Sequence, residues 1–146
     1  MSVPKIVVHT DVFIDHLCGN REPSVLRQAM STFFCYTTVF QAIELFALAR
    51  TEEEAAAVEN AMAAMKVLGL NPKTARNYGR LIANNTRRER WNMLIAGLCL
   101  ESRLPILTDR RQDFAGVKNI TIVPTHLIDG RRSGEEVVRA ARHKHR

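Results

Sequence analysis

The chain is poor in the features that most readily announce a function. It has three cysteines, an odd number, and no Cys-x-x-Cys pair. This points to a reducing, cytoplasmic setting rather than a disulfide framework. Cys35 and Cys99 sit among apolar neighbours, where a thiol acts as a small hydrophobe. No basic segment followed by a long apolar run opens the chain, so no secretory signal is expected. The longest apolar run, residues 93–100, falls well short of the ~20 residues a membrane span needs. Neither Gly-x-Gly-x-x-Gly nor Gly-x-x-x-x-Gly-Lys-Ser/Thr follows the first apolar run, and Gly19 stands alone. A nucleotide-binding α/β protein, which needs such a backbone cradle for phosphate, therefore has little support. There is no internal repeat and no low-complexity linker.

What is present is ordinary in bulk and uneven in charge. The 146 residues suffice for one domain with a single core. Hydrophobic residues make up 46% and charged residues 25%, which fits a folded chain. The net charge of +6 comes from arginines concentrated in residues 76–90 and 131–146. Such a surface favours a polyanion such as RNA, or an acidic protein partner. A merely solvated basic face gives the same signal.

Apolar runs alternate with helical patterns. Residues 5–8, 33–36, 104–108 and 120–123 read as strands, with 67–70 as a further short one. Helices are expected over 11–17 (closed by Gly19-Asn20), 24–30, 39–48 capped by Thr37 or Thr38, 51–65, 72–83 and 89–102. Thr51 with Glu54 forms a capping box, as does Ser133 with Glu136, which predicts one more short helix. Asn71-Pro72 gives a cap followed by proline at the first helical position. The alternation predicts an α/β fold with a mostly parallel sheet of four to five strands and right-handed crossovers. The final His143-x-His145 reads as a frayed terminus, with metal binding the less common alternative.

Four of these apolar stretches carry isolated polar residues. They are His9 and Asp11 after the first strand, Glu44 in the third helix, Asn92 in the helix 89–102, and Asp109 and Asp113 after residues 104–108. Burying an unpartnered polar group costs about 1–3 kcal/mol, so one shared site accounts for them better than four separate accidents. In open parallel sheets, ligands bind beyond the carboxyl ends of the strands, where His9, Asp11, Thr108 and Asp109 fall. Gln41 and Glu44 share one helix face, which must meet water or a polar site. Four of these residues also have a plainer reading. Asn92 and Asp11 are common helix caps, Glu44 suits a half-exposed helix, and His9 suits a hydrogen-bonded core position.

The order of these segments resembles the PIN-domain family, in particular the VapC-type toxins of toxin–antitoxin pairs. Val8-His9-Thr10-Asp11-Val12-Phe13-Ile14 is similar to the family's opening Asp-Thr-Asn/Ser/Asp-Val-Leu-Ile. Thr38-Val39-Phe40-Gln41-Ala42-Ile43-Glu44-Leu45 resembles the helix that supplies its glutamate. Ala75-Arg76-Asn77-Tyr78-Gly79-Arg80-Leu81 resembles the helix before its third acidic position. Asn92-Met93-Leu94-Ile95-Ala96 matches Asp-x-Leu-Ile-Ala, and Thr108-Asp109-Arg110-Arg111-Gln112-Asp113-Phe114 matches Thr-x-Asp/Asn-x-x-Asp/His-Phe.

The resemblance spans residues 5–124. It implies a PIN-like α/β/α sandwich over residues 1–128, with 129–146 as a basic C-terminal tail. It implies an endoribonuclease of single-stranded RNA using Mg²⁺ or Mn²⁺, in which the ion helps ionise water and offsets charge on the phosphorus oxygens. Glu44, Asp11 and Asp113 take the catalytic positions. His9, Asp11, Glu44, Asn92, Asp109 and Asp113 are the candidate metal ligands, and Thr10, Thr108, Arg110 and Arg111 the candidate substrate contacts. A homodimer and an antitoxin partner are also implied, the latter docking in an apolar groove between the helices at 39–48 and 51–65.

The chain departs from the pattern where charge matters. The family's first Asp is His9, its third is Asn92, and Arg110 stands where Asp or Asn is common. Two negative charges are missing, so a hard dication should bind weakly or not at all. The alternative implied is a PIN fold with impaired catalysis that binds RNA or protein.

Overall fold

Side chains alternate across the sheet from one residue to the next, and that alternation divides the core in two. In β1 (Lys5–Val8), Ile6 and Val8 face one side and Val7 the other. In β4 (Ile106–Leu107) and β5 (Ile122–Val123), Leu107 and Val123 join Ile6 and Val8, while Ile106 and Ile122 join Val7. With both faces covered, the strands are continuous apolar runs rather than alternating ones. The computed structural model describes residues 3–19 and 21–143. With β2 (Phe34–Thr38) and β3 (Lys66–Leu68), the sheet has the order β3-β2-β1-β4-β5, and every pairing is parallel.

Helices cover both faces. On the first, Phe13 of α1 (Thr10–Leu17), Leu26 of α2 (Val25–Thr32) and Val58 of α4 (Glu52–Ala63) pack with Val137 and Ala141 of α7 (Gly134–His143). On the second, Tyr78 of α5 (Ala75–Asn84) packs with Met93 and Ile95 of α6 (Arg90–Ser102). Between β2 and α4 lies α3 (Val39–Leu48). The result is the α/β/α arrangement expected from the sequence.

Local chemistry fixes several boundaries. The strand expected over 104–108 is shorter because Pro105 has no N–H to give a ladder. The helix expected from Pro72 begins as a 3₁₀ turn, Pro72–Thr74, with the Asn71 side chain accepting from the Lys73 amide at 3.0 Å. The segment from Asp129, read as a tail, sends Val137 and Ala141 into the core. Its helix follows the expected capping box, in which Glu136 N donates to Ser133 Oγ at 3.2 Å. Gly19 adopts φ 65° after α1. Asn20 and His145 lie outside the described residues.

β1 is the sheet's switch point. Its neighbours are β2 on one side and β4 on the other, so chain segments leave the carboxyl ends of β1 and β4 toward opposite sides and open a crevice. One edge of that crevice is pinned from α3. The Gln41 side-chain amide donates to the Val8 carbonyl at 2.8 Å, and Thr37 Oγ1 donates to the same carbonyl at 3.2 Å. Thr38 and Gln41 form a capping box. Gln41 therefore turns inward and is fully buried.

The contact of α5 with α6 depends on Gly97. A Cβ there would lie 2.3 Å from Tyr78 Cε1. The Tyr78 hydroxyl is tied to Glu101, which hinders the ring from swinging away. Gly97→Ala should lower stability by about 1–3 kcal/mol, the usual cost of overpacking. Urea unfolding monitored by circular dichroism would check this, and an unchanged midpoint would show that the helices separate freely.

Candidate functional site

At the carboxyl edge of the sheet, His9, Thr10, Asp11, Ile14, Glu44, Leu48, Glu89, Asn92, Arg110 and Asp113 line a pocket of about 310 Å³. The structure thus brings together seven of the residues singled out from sequence. Four come from the end of β1, α1 and α3, one from α6, and two from the segment after β4.

The pocket is organised by a hydrogen-bond network that joins β1 to β4. Thr108 Oγ1 donates to Asp11 Oδ1 at 3.0 Å, and the Asp109 amide donates to Asp11 Oδ2 at 2.9 Å. His9 Nδ1 lies 3.1 Å from Thr108 Oγ1 and 3.3 Å from Asp11 Oδ1. Because Thr108 gives its one proton to the carboxylate, both oxygens are acceptors toward His9, and the network assigns a proton to Nδ1. The Arg110 amide donates to Thr108 Oγ1 at 3.0 Å, completing the hydroxyl's set. The His9 ring meets Phe114 edge to face at 5.2 Å. Burial opposes the charge on Asp11. The side-chain bond from His9, the Asp109 amide, the His9 charge and Thr108 outweigh it and hold the carboxyl below its usual range.

A second contact closes the other side of the pocket. Arg110 Nε donates to Asp113 Oδ2 at 2.8 Å. The same guanidinium feels the charges of Asp11 and Glu44.

Several residues stand elsewhere than expected. The Asp109 side chain turns away from the pocket and accepts from the Thr125 amide at 2.8 Å, where it starts the 3₁₀ turn Thr125–Leu127. Thr108, expected to contact substrate, is buried and acts as the hub of the network. Arg111 is exposed and lies outside the pocket lining. Asn92 sits in the first turn of α6 but does not cap it, because the cap position belongs to Glu89. Asp11 likewise lies inside α1, after His9. Glu89 was not foreseen from sequence, yet it lines the pocket. Its signal was its place three residues before Asn92, which puts both on one helix face.

Two of the four carboxylates in this lining are already engaged, which makes the site a poor match for Mg²⁺. Mg²⁺ takes hard oxygens in near-octahedral geometry and sheds its waters reluctantly. Asp11 is engaged by Thr108, Asp109 and His9, and Asp113 by Arg110. Asn92 and Thr10 offer only neutral oxygens, and the buried Thr10 Oγ1 has no hydrogen-bond partner among the described residues. Among the described residues, no group of three His, Cys, Asp or Glu is disposed to hold a metal ion.

No protein-family model matches the chain, and no curated protein matches its sequence. Solved structures do share its fold. VapBC2 from Rickettsia felis, bound to a DNA fragment from its promoter, superposes with a TM-score of 0.71 at 12% identity, covering 82% of this chain and 98% of that one. DNA-bound VapBC from Salmonella typhimurium gives 0.71 at 20% identity, covering 84% and 98%. VapBC-5 from Mycobacterium tuberculosis, a member of the VapBC family of toxin–antitoxin systems, gives 0.57 at 22% identity, covering 82% and 98%. At these identities the likeness is one of fold, and that fold is the VapC-type PIN architecture which the order of the motifs led one to expect.

The Asp11 network has a pH signature. A carboxyl whose folded pKa is lowered contributes stability above its unfolded value of about 3.9, and that contribution is lost as pH falls through the folded value. Asp11→Asn should cost about 1–3 kcal/mol at neutral pH, because buried His9 and Thr108 lose a charged partner. The difference from the parent protein should shrink below about pH 4. Urea unfolding across a pH series would check this, and a gap independent of pH would mean the Asp11 charge is not involved.

Proposed function

We propose that this protein is a VapC-like PIN-fold protein whose metal-dependent RNA hydrolysis is impaired, and which works by binding an RNA or an antitoxin-like protein. The observation that carries this reading is the 2.8 Å Arg110–Asp113 contact inside a pocket where His9 and Asn92 replace carboxylates. In a metal-dependent nuclease, carboxylates gather an ion that activates water and offsets charge at phosphorus. Here an arginine of the same chain supplies positive charge at that place. A guanidinium can neutralise carboxylates or bind a phosphate, but it does not lower the pKa of a water as a metal does.

Two features support a protein partner of the antitoxin kind. Ile14 and Leu48 are shared between the acidic pocket and a neighbouring apolar groove of about 350 Å³, which Leu17, Leu45 and Val58 also line. Solved structures that share the fold include VapBC complexes and a member of the VapBC family of toxin–antitoxin systems. Ile43 and Phe46 of α3 are 50% and 40% exposed, more apolar surface than one short helix usually leaves in water, and a second copy of the chain is the homodimeric way to cover it. Among the described residues, no helix is long and apolar enough to cross a membrane.

A second reading keeps the enzyme. Glu44 and Asn92 line the pocket with no side-chain hydrogen bond among the described residues, so a softer site using His9, Glu44 and Asn92 with Mn²⁺ is the competing assignment. Cleavage of single-stranded RNA with Mg²⁺ or Mn²⁺ separates the two. Parent protein should cleave no faster than Glu44→Gln. His9→Asp combined with Asn92→Asp and Arg110→Asn should gain Mn²⁺ binding by calorimetry and Mn²⁺-dependent cleavage. Cleavage by the parent protein that EDTA and Glu44→Gln both abolish would establish the second reading.

A further inference from the structure

A second, larger cleft lies at the opposite edge of the sheet. Lys5 opens β1 there, Arg103 and Pro105 precede β4, and Arg139, Arg142 and His143 come from the last turns of α7; together they line a cleft of about 580 Å³. Among the described residues, Glu135 is the one carboxylate in its wall. Among the described residues, none of these basic groups lies within 4.0 Å of a carboxylate oxygen, the distance that defines the ion pairs found elsewhere in the molecule. Arg142 reaches only a neutral partner, Thr121 Oγ1, at 3.5 Å.

The plain explanation for cations here is the helix dipole. Both α6 and α7 end at this edge, and each helix end carries roughly half an elementary negative charge. Two such ends amount to about one charge. Four permanent cations, Lys5, Arg103, Arg139 and Arg142, face that charge and Glu135, so positive charge remains in excess. Arg103 adds an independent sign. It follows α6 with φ 56°, the left-handed conformation that suits glycine. The position keeps a long basic side chain where the backbone favours none.

We propose that this cleft binds the phosphate backbone of a polynucleotide, at a site separate from the pocket beside Glu44. Arginine forks match phosphate oxygens bidentately, and converging cations raise affinity by releasing counterions. The chain's net charge of +6 acts in the same direction. The site does not depend on whether the acidic pocket hydrolyses RNA.

The test is fluorescence anisotropy of a short labelled single-stranded RNA across a salt series. Binding should weaken with a log–log slope of about −0.7 per phosphate contact. Arg103→Gly with Arg139→Gln should weaken it about tenfold or more and flatten the slope by roughly 1.4, two contacts' worth. Glycine suits the backbone at 103, so thermal stability should hold or rise. Arg76→Gln with Arg80→Gln removes the same charge from exposed positions of α5 and should change affinity less than about threefold. Equal losses in the two double variants, or no loss in the first, would overturn the site. Inorganic phosphate is the second probe. If it displaces the RNA as well as an unlabelled oligonucleotide does at equal phosphate concentration, the cleft takes single phosphate groups, and the polynucleotide assignment fails.

Discussion

The carboxylate of Asp11 ties the end of β1 to the end of β4. It accepts from Thr108 and from the Asp109 amide, both nearly a hundred residues away in sequence. The remainder of the pocket depends on that junction. Parallel pairing sets Val8 beside Leu107, so the next residues on each strand, His9 and Thr108, emerge side by side. The Asp11 bonds then fix which way each segment turns. His9 faces Thr108, and the Arg110 amide folds back onto the same hydroxyl. Arg110 is thereby placed to reach Asp113 within one turn. Without the junction, the crevice of the switch point would remain, but its polar groups would not share a geometry.

The same network ties up part of the pocket's negative charge. A carboxylate that accepts three hydrogen bonds from its own chain must lose some of them before it can enter a metal's inner shell. The departures at His9, Asn92 and Arg110 act in one direction. Against the pattern the sequence resembles, two put a neutral or proton-donating group where a carboxylate is expected, and the third brings in a permanent cation. Glu44 and Glu89 restore acidity at the mouth, from α3 and the start of α6. The outcome is a pocket in which two of the four lining carboxylates, Asp11 and Asp113, are held by the chain's own donors.

Much of the fold was legible because burial leaves a strong mark on sequence. Ile6-Val7-Val8, Ile106-Leu107 and Ile122-Val123 are apolar on both faces, which identifies central parallel strands. Thr51 with Glu54 and Ser133 with Glu136 announced helix starts that formed where expected. Where the structure differs, the causes are local. Pro105 trims β4, and Asn71 converts the first turn of the helix after it into 3₁₀ geometry. The basic segment after Asp129 concealed its apolar stripe, because Val137 and Ala141 sit one turn apart among charged neighbours. In the site, the order of motifs brought the right segments together but could not orient side chains. Asp109 and Asp11 are two acidic residues at adjacent strand ends. Only the three-dimensional path decides that one enters the pocket and the other caps Thr125. Glu89 left no such mark, because a glutamate among arginines at a helix start also suits an ordinary solvated surface.

The molecule thus carries opposite charges on opposite edges of one sheet, acidic at the carboxyl ends of the strands and basic at their amino ends. The central claim concerns the acidic edge: this chain's own donors hold Asp11 and Asp113, and Arg110 sets a permanent cation where an ion would sit. Crystals grown without divalent ions and soaked in Mn²⁺ test it directly by anomalous diffraction. The account predicts no Mn²⁺ peak beside Glu44 and an intact contact between Arg110 and Asp113. A strong peak coordinated by Glu44, with Arg110 swung away from Asp113, would contradict it.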